Sequence, residues 1–186
     1  MSRWFLFASI VFATAMLGSR AGAASWALGT HLGFAYIQSD VKNSGSSTVV
    51  AWPANSFTYQ PGLRIAIGDR GHRHELQLDS GMFWLDEAGS TLSLLSASTS
   101  YQYAFMADRS DAPFANIGVG LFREGGADRA ATSTTFGAGI GLRHRIHGDH
   151  GAVRGEVRAD YVKAADAFGR PTLAIVGLRL GFDLWF

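Results

Sequence analysis

Charged side chains fall on alternate residues along several stretches of this 186-residue chain, and the spacing sets the chemistry open to them. Arg154, Glu156, Arg158 and Asp160 form the longest series. Arg143 and Arg145, Arg179 and Asp183, Glu75 and Asp79, and Arg64 extend the set. A guanidinium pairs with a carboxylate through two parallel hydrogen bonds and stays charged at any working pH, so these residue types favour ion pairing away from water. Acid–base catalysis is a second option. His144 and Glu156 supply a base and an orienting carboxylate, but such a site also needs a nucleophile within hydrogen-bond reach. Metal binding is a third, because His72, His74, His144, His147 and His150 crowd into two turn regions, with His31 apart from them. No carboxylate spacing links the two groups, so solvated turn histidines are expected, with no metal and no cofactor.

The elements that position these residues read as β-strands. Successive side chains of a strand point to opposite faces, so alternation in sequence becomes two chemically distinct faces in space. In 151–163, Val153, Val157 and Tyr161 oppose the four charges of Arg154 to Asp160. In 132–146, Phe136, Ala138, Ile140 and Leu142 oppose Gly137, Gly139, Gly141 and Arg143. The last eight residues place Leu180, Phe182, Leu184 and Phe186 on one face. Eight such segments are expected, at about 26–38, 56–68, 72–85, 91–105, 113–123, 132–146, 151–163 and 171–186. An even number of segments of this length suits a closed antiparallel barrel. By parity, all eleven charged residues named above point inward. The inward glycines Gly118, Gly120, Gly137, Gly139 and Gly141 make room either for water or for arginines from across the barrel.

Which face meets lipid is decided by composition. A water-soluble barrel carries lysine outside, yet lysine occurs only at Lys42 and Lys163, against 14 arginines. Aromatics fall into two belts: Tyr36, Phe57, Tyr59, Trp84, Phe136 and Tyr161 at one rim, Trp26, Tyr103, Phe105, Phe182 and Phe186 at the other. Amphipathic rings gather where a bilayer meets water. The stretch 1–23 reads as a cleaved secretory signal, with Arg3, an apolar run from Trp4 to Leu17, and Ala21-Gly-Ala23 at the cut. A single barrel domain is then expected over 24–186, with a net charge near −1 that argues against nucleic acid as a partner. Tight turns are expected at the end holding the termini, and the longest loop, about 39–55, at the other. There is no cysteine, hence no disulfide.

Glycine-alternating strands such as Pro113–Gly120 and Phe136–Arg143, and the segment Gly151–Tyr161, resemble the small eight-stranded outer-membrane barrels, the superfamily of the OmpA transmembrane domain and OmpX-like proteins. The ending is similar to that family's assembly signal, with Arg179, Gly181, Leu184 and Phe186 in its positions. The resemblance implies an all-β, eight-stranded antiparallel transmembrane barrel in the bacterial outer membrane, inserted by the barrel-assembly machinery and surrounded by membrane lipid and lipopolysaccharide. A monomer with a structural, envelope-integrity or surface-interaction role is expected, its lumen filled by the charge network. No wall-tethering role is expected. A narrow ion- or solute-conducting channel is one alternative, and a lipid A-modifying enzyme another. The enzyme reading is weakened because Ile146 stands where lipid A deacylases place a serine two residues after the histidine.

Overall fold

The computed structural model describes residues 24–41, 45–54, 62–87, 90–126, 130–146, 150–166 and 169–186. The expected signal segment 1–23, with Lys42, Phe57, Tyr59 and His147, lies outside them. The described chain forms β1 (Ser25–Ser39), β2 (Ser47–Ala54), β3 (Gly62–Gly68), β4 (His74–Glu87), β5 (Ser90–Ala104), β6 (Asp111–Gly125), β7 (Ala130–Ile146), β8 (Gly151–Val162) and β9 (Leu173–Trp185). From β3 to β9 each strand pairs antiparallel with the next. The sheet closes where β1 pairs antiparallel with β9, from Ala27 opposite Trp185 to Ser39 opposite Leu173. Closure leaves no open edge between first and last strands and satisfies the backbone internally, as lipid requires.

Nine segments make eight staves, because β2 and β3 share one. Both pair with β1, β3 along Ser25–Gly29 and β2 along His31–Ile37, with a register shift between His31 and Gly33. Of the expected second strand 56–68, Gly62–Gly68 is strand and 56–61 lies outside the described residues; part of the expected loop 39–55 is strand as well, at Ser47–Ala54. The cause is local: Thr48-Val49-Val50 is a β-branched run with strand preference, set in a Ser-rich stretch that reads as loop. At the other end of the barrel β4 starts at His74, because the backbone turns first. His72 sits at a φ of 52° and its N–H donates to the Asp69 carbonyl at 2.9 Å. The connections between β4 and β5 (88–89) and between β6 and β7 (126–129) are as short as those at the terminal end, so the expected length asymmetry rests on 40–46 and 163–172 alone.

Burial alternates along β1, β3 and β6 to β9 and along the described parts of β4 and β5, and the polar face is the buried one. On β9, Ile175, Gly177, Arg179, Gly181, Asp183 and Trp185 are buried while Val176, Leu178, Leu180, Phe182 and Leu184 are exposed. Ile140 is 69% exposed and Arg143, three residues on, 1%. Such an inversion is untenable in water over a whole surface and is what a lipid-facing barrel requires. The rims carry the expected rings: Tyr36, Trp84, Phe136 and Tyr161 are exposed towards the loop end, and Trp26, Phe105, Phe182 and Phe186 at the terminal end, with Tyr103 half-buried. Trp26 stacks on Phe186 at 4.7 Å and Phe136 on Tyr161 at 4.6 Å.

Candidate functional site

The barrel interior is crossed by a layer of ions drawn from five strands. β8 contributes Arg154, Glu156, Arg158 and Asp160, β9 Arg179 and Asp183, β7 Arg143, β4 Glu75 and Asp79, and β3 Arg64, all of them buried. Arg64 pairs with Asp183 and Arg143 with Glu75, while Arg143 Nη2 also donates to the His72 carbonyl at 2.7 Å. Arg154 Nη2 donates to Glu156 Oε2 at 3.0 Å and to Gln102 Oε1 at 2.8 Å, and its Nη1 lies 3.8 Å from Asp183. Arg179 joins Asp160 at 3.0 Å to Glu156 at 3.5 Å. Arg158 Nε donates to Asp160 Oδ1 at 2.6 Å and its Nη1 to Asn116 Oδ1 at 2.5 Å. Asp79 lies opposite Arg64 in the β3–β4 register. The pairs thus form one connected network, in which shared partners repay the cost of removing each ion from water.

Arg145 is the exception among the eleven residues. Near the end of β7 it is only half-buried, and its guanidinium donates to the Arg109 carbonyl at 2.9 Å in the turn after β5. Three neutral residues absent from the expected set belong to the network. Gln102 donates to Glu75 at 3.1 Å, Gln77 donates to Gln102 at 3.0 Å, and Asn116 accepts from Arg158. Parity would have found them: each sits on the polar face of its strand, and only their lack of charge hid them.

The inward glycines answer the choice between water and side chains. A Cβ at Gly139 would lie 2.6 Å from Glu156 Oε1 and 3.1 Å from Asn116 Oδ1. At Gly137 it would strike the Asp160 carboxylate and come within 2.7 Å of the Ala159 carbonyl. At Gly141 it would strike the Phe114 ring, and at Gly29 the Asp183 carboxylate. These glycines are cradles for the side chains of neighbouring strands. Gly118 and Gly120 meet the Cβ atoms of Ser100 and Ser98 at 2.6 Å each.

Apolar clusters lie on both sides of the ions. Towards the loop end, Ala35, Phe122, Val162 and Ile175 cluster with Ile37, Leu94 and Leu173. Towards the terminal end stand Ala27, Ala66 and Trp185, and beside them Ala104, Ala107, Ala112 and Phe114. Arginines cap these clusters through cation–π contacts, Arg154 over Phe114 at 4.6 Å and Arg143 over Trp185 at 5.7 Å. Arg170, in the connection between β8 and β9, does the same over Phe122 at 5.6 Å. It also donates to Glu124 at 2.6 Å, Ser133 at 2.7 Å and the Lys163 carbonyl at 3.0 Å, tying that connection to β6 and β7. Arg170→Ala is expected to cost about 1–2 kcal/mol, the scale of lost charge-assisted hydrogen bonds. Faster amide exchange confined to 163–172 is the expected signature.

The candidate acid–base pair is not assembled. His144 is exposed on the outward face and its Nδ1 lies 2.7 Å from Asp111, whereas Glu156 points inward among arginines. The remaining histidines separate too. His72 is buried against Trp185 at 4.1 Å, His74 hydrogen-bonds to the Tyr101 hydroxyl at 2.6 Å, His150 is exposed, and His31 is buried inside. Among the described residues no group of three or more histidines and carboxylates is placed to hold a metal ion. Of the expected assembly-signal residues, Arg179 and Gly181 face the interior, while Leu184 and Phe186 face outward.

No family model matches the sequence, and no curated protein matches it. Solved structures do. Neisserial surface protein A superimposes with a TM-score of 0.63 at 18% identity, over 87% of this chain and 98% of that one. Outer membrane protein AlkL, solved by solid-state NMR in DMPC lipid bilayers, gives 0.54 at 16% identity, over 91% of this chain and 93% of that one. Both share the closed architecture and neither is close enough in sequence to lend its activity. With the polar interior and apolar wall already established, the chain has the fold of the small eight-stranded outer-membrane barrels.

Proposed function

We propose that this protein resides in the bacterial outer membrane as a monomeric, non-enzymatic barrel, sealed through its middle, that supports the envelope or presents its loop end to other molecules. The observation that carries the reading is the connected ion layer with apolar clusters on both sides of it. A sealed lumen opposes the channel alternative, and the separation of His144 from Glu156 opposes a lipid A-modifying site built on them. The wall suits lipid and lipopolysaccharide as its surroundings, and the outward Leu184 and Phe186 at the chain's end support insertion by the barrel-assembly machinery.

The chain has no native cysteine, so a single Asp166→Cys change in the exposed β8–β9 connection gives one label site. A membrane-impermeant maleimide is expected to label it on intact cells. Purified protein in planar bilayers is then expected to show no steady conductance. Discrete openings that change with Arg143 or Arg158 substitution would replace this reading with the channel. Failure to label cells that carry folded protein would overturn the placement.

A further inference from the structure

The outward wall at the loop end carries a group of side chains that sealing the barrel does not use. Arg123 on β6 lies opposite Thr132 on β7, and the Lys163 N–H donates to the Thr134 carbonyl at 3.0 Å. Phe122, Ser133, Thr135 and Val162 face inward, so Arg123, Thr132, Thr134 and Lys163 face outward; the two cations are exposed. They flank β7 from either side, two strand spacings across and two residues along, about 12 Å apart at the backbone, a gap that long flexible side chains close over a small anion. Below them, one strand pair nearer mid-barrel, Phe136 and Tyr161 stack with both rings exposed. Lys163 stands two residues beyond Tyr161, roughly 7 Å further out along the strand.

Neither cation forms an ion pair with another described residue. Glu124, next to Arg123, is engaged by Arg170 at 2.6 Å. The outward pair at the opposite end behaves differently, because Asp111 and His144 satisfy each other at 2.7 Å. At the loop end, therefore, two cations and two hydroxyls surround a point just above the rings that sit at a bilayer's interface, the depth of lipid phosphates.

We propose that Arg123, Lys163, Thr132 and Thr134 hold the phosphomonoester of a phosphorylated glycolipid against the outer wall, with the Phe136–Tyr161 stack beneath its sugar and acyl junction. A phosphomonoester carries about −1.5 to −2 charge and three acceptor oxygens, matching two cations and two hydroxyl donors. A phosphodiester headgroup carries a single charge and leaves one cation unmatched. The proposal rests on the outer-membrane reading above, but its test does not depend on that reading.

The purified, folded protein in detergent is titrated with lipid A bearing both phosphates, with its dephosphorylated form and with phosphatidylglycerol, bound lipid being read by native mass spectrometry. Preference for the phosphorylated glycolipid over both others is expected. Arg123→Ala and Lys163→Ala are each expected to weaken it about fivefold, the effect of one cation at a lipid surface, and Arg123→Lys to retain most of the binding. Both residues are exposed, so the variants keep the wild-type fold, which their gel mobility before and after heating checks. Wild-type affinity in both alanine variants would overturn the site. Equal binding of the dephosphorylated glycolipid or of phosphatidylglycerol would overturn the phosphomonoester assignment, and full displacement by millimolar inorganic phosphate would show a free-anion site instead. A barrel that binds as expected yet fails to label on cells would sink the placement and leave the site standing.

Discussion

Glu156→Ala is expected to destabilise the folded barrel by about 3–5 kcal/mol, the cost of removing one partner from a buried ion pair. The size follows from its neighbours. Glu156 lies within 3.0 Å of Arg154, 3.5 Å of Arg179 and 3.7 Å of Arg158, and all four residues are buried. Without it, three guanidinium groups lose the carboxylate they share and keep Asp160 and Asp183 as ion-pair partners, in an interior flanked by apolar clusters. Glu156→Gln keeps the shape and part of the hydrogen bonding and is expected to fall between. Urea unfolding in lipid vesicles, followed by tryptophan fluorescence, measures all three. Equal midpoints and slopes for wild type and Glu156→Ala would mean that water already screens these charges, and would reopen the channel reading.

The second large effect is steric and needs no charge to be removed. Gly137→Val places a branched side chain where the Asp160 carboxylate sits, with the Ala159 backbone carbonyl 2.7 Å from the new Cβ. The carbonyl belongs to the β7–β8 ladder and does not retreat, so Asp160 must move. Its contacts to Arg158 at 2.6 Å and Arg179 at 3.0 Å go with it. Overpacking alone costs about 1–3 kcal/mol, and the broken pairs add to it, so a loss of roughly 4 kcal/mol is expected. Gly155→Val is the control, because a Cβ at Gly155 meets only Leu180 Cδ2 at 3.7 Å, an ordinary contact. Unfolding of the two variants side by side separates a cradle from a general intolerance of side chains at glycine. Comparable losses in both would refute the cradle.

Much of the barrel was legible because alternation is a strong signal once a strand is long. β8 shows it: Arg154 to Asp160 stand on one face in sequence and line the interior in space. Alternation failed at β2, where Val49 and Val50 are adjacent apolar residues in a Ser-rich setting and only the pairing with β1 makes them strand. The interior was legible where it is charged and opaque where it is neutral. Gln77, Gln102 and Asn116 carry no charge to mark them, though they join ions that do. Arg145 shows what parity leaves open: at a strand's end a long side chain reaches the carbonyl of a neighbouring turn, here that of Arg109. The role of the glycines lay beyond sequence altogether, since which side chain fills the space opposite depends on register across strands.

The pairings also differ greatly in how far apart their members lie along the chain. Arg154 and Glu156 are two residues apart, Glu75 and Arg143 68, and Arg64 and Asp183 119. During synthesis and export Glu75 emerges well before Arg143 on β7, and Arg64 well before Asp183 on β9, so these two pairings wait for the last three staves. A partly assembled wall therefore carries ions whose cross-barrel partners have not yet arrived, in hydrocarbon that rejects incompletely paired charge, while the finished ring encloses them. Entry into the bilayer is thereby coupled to completion: the membrane accepts the whole ring and turns away fragments.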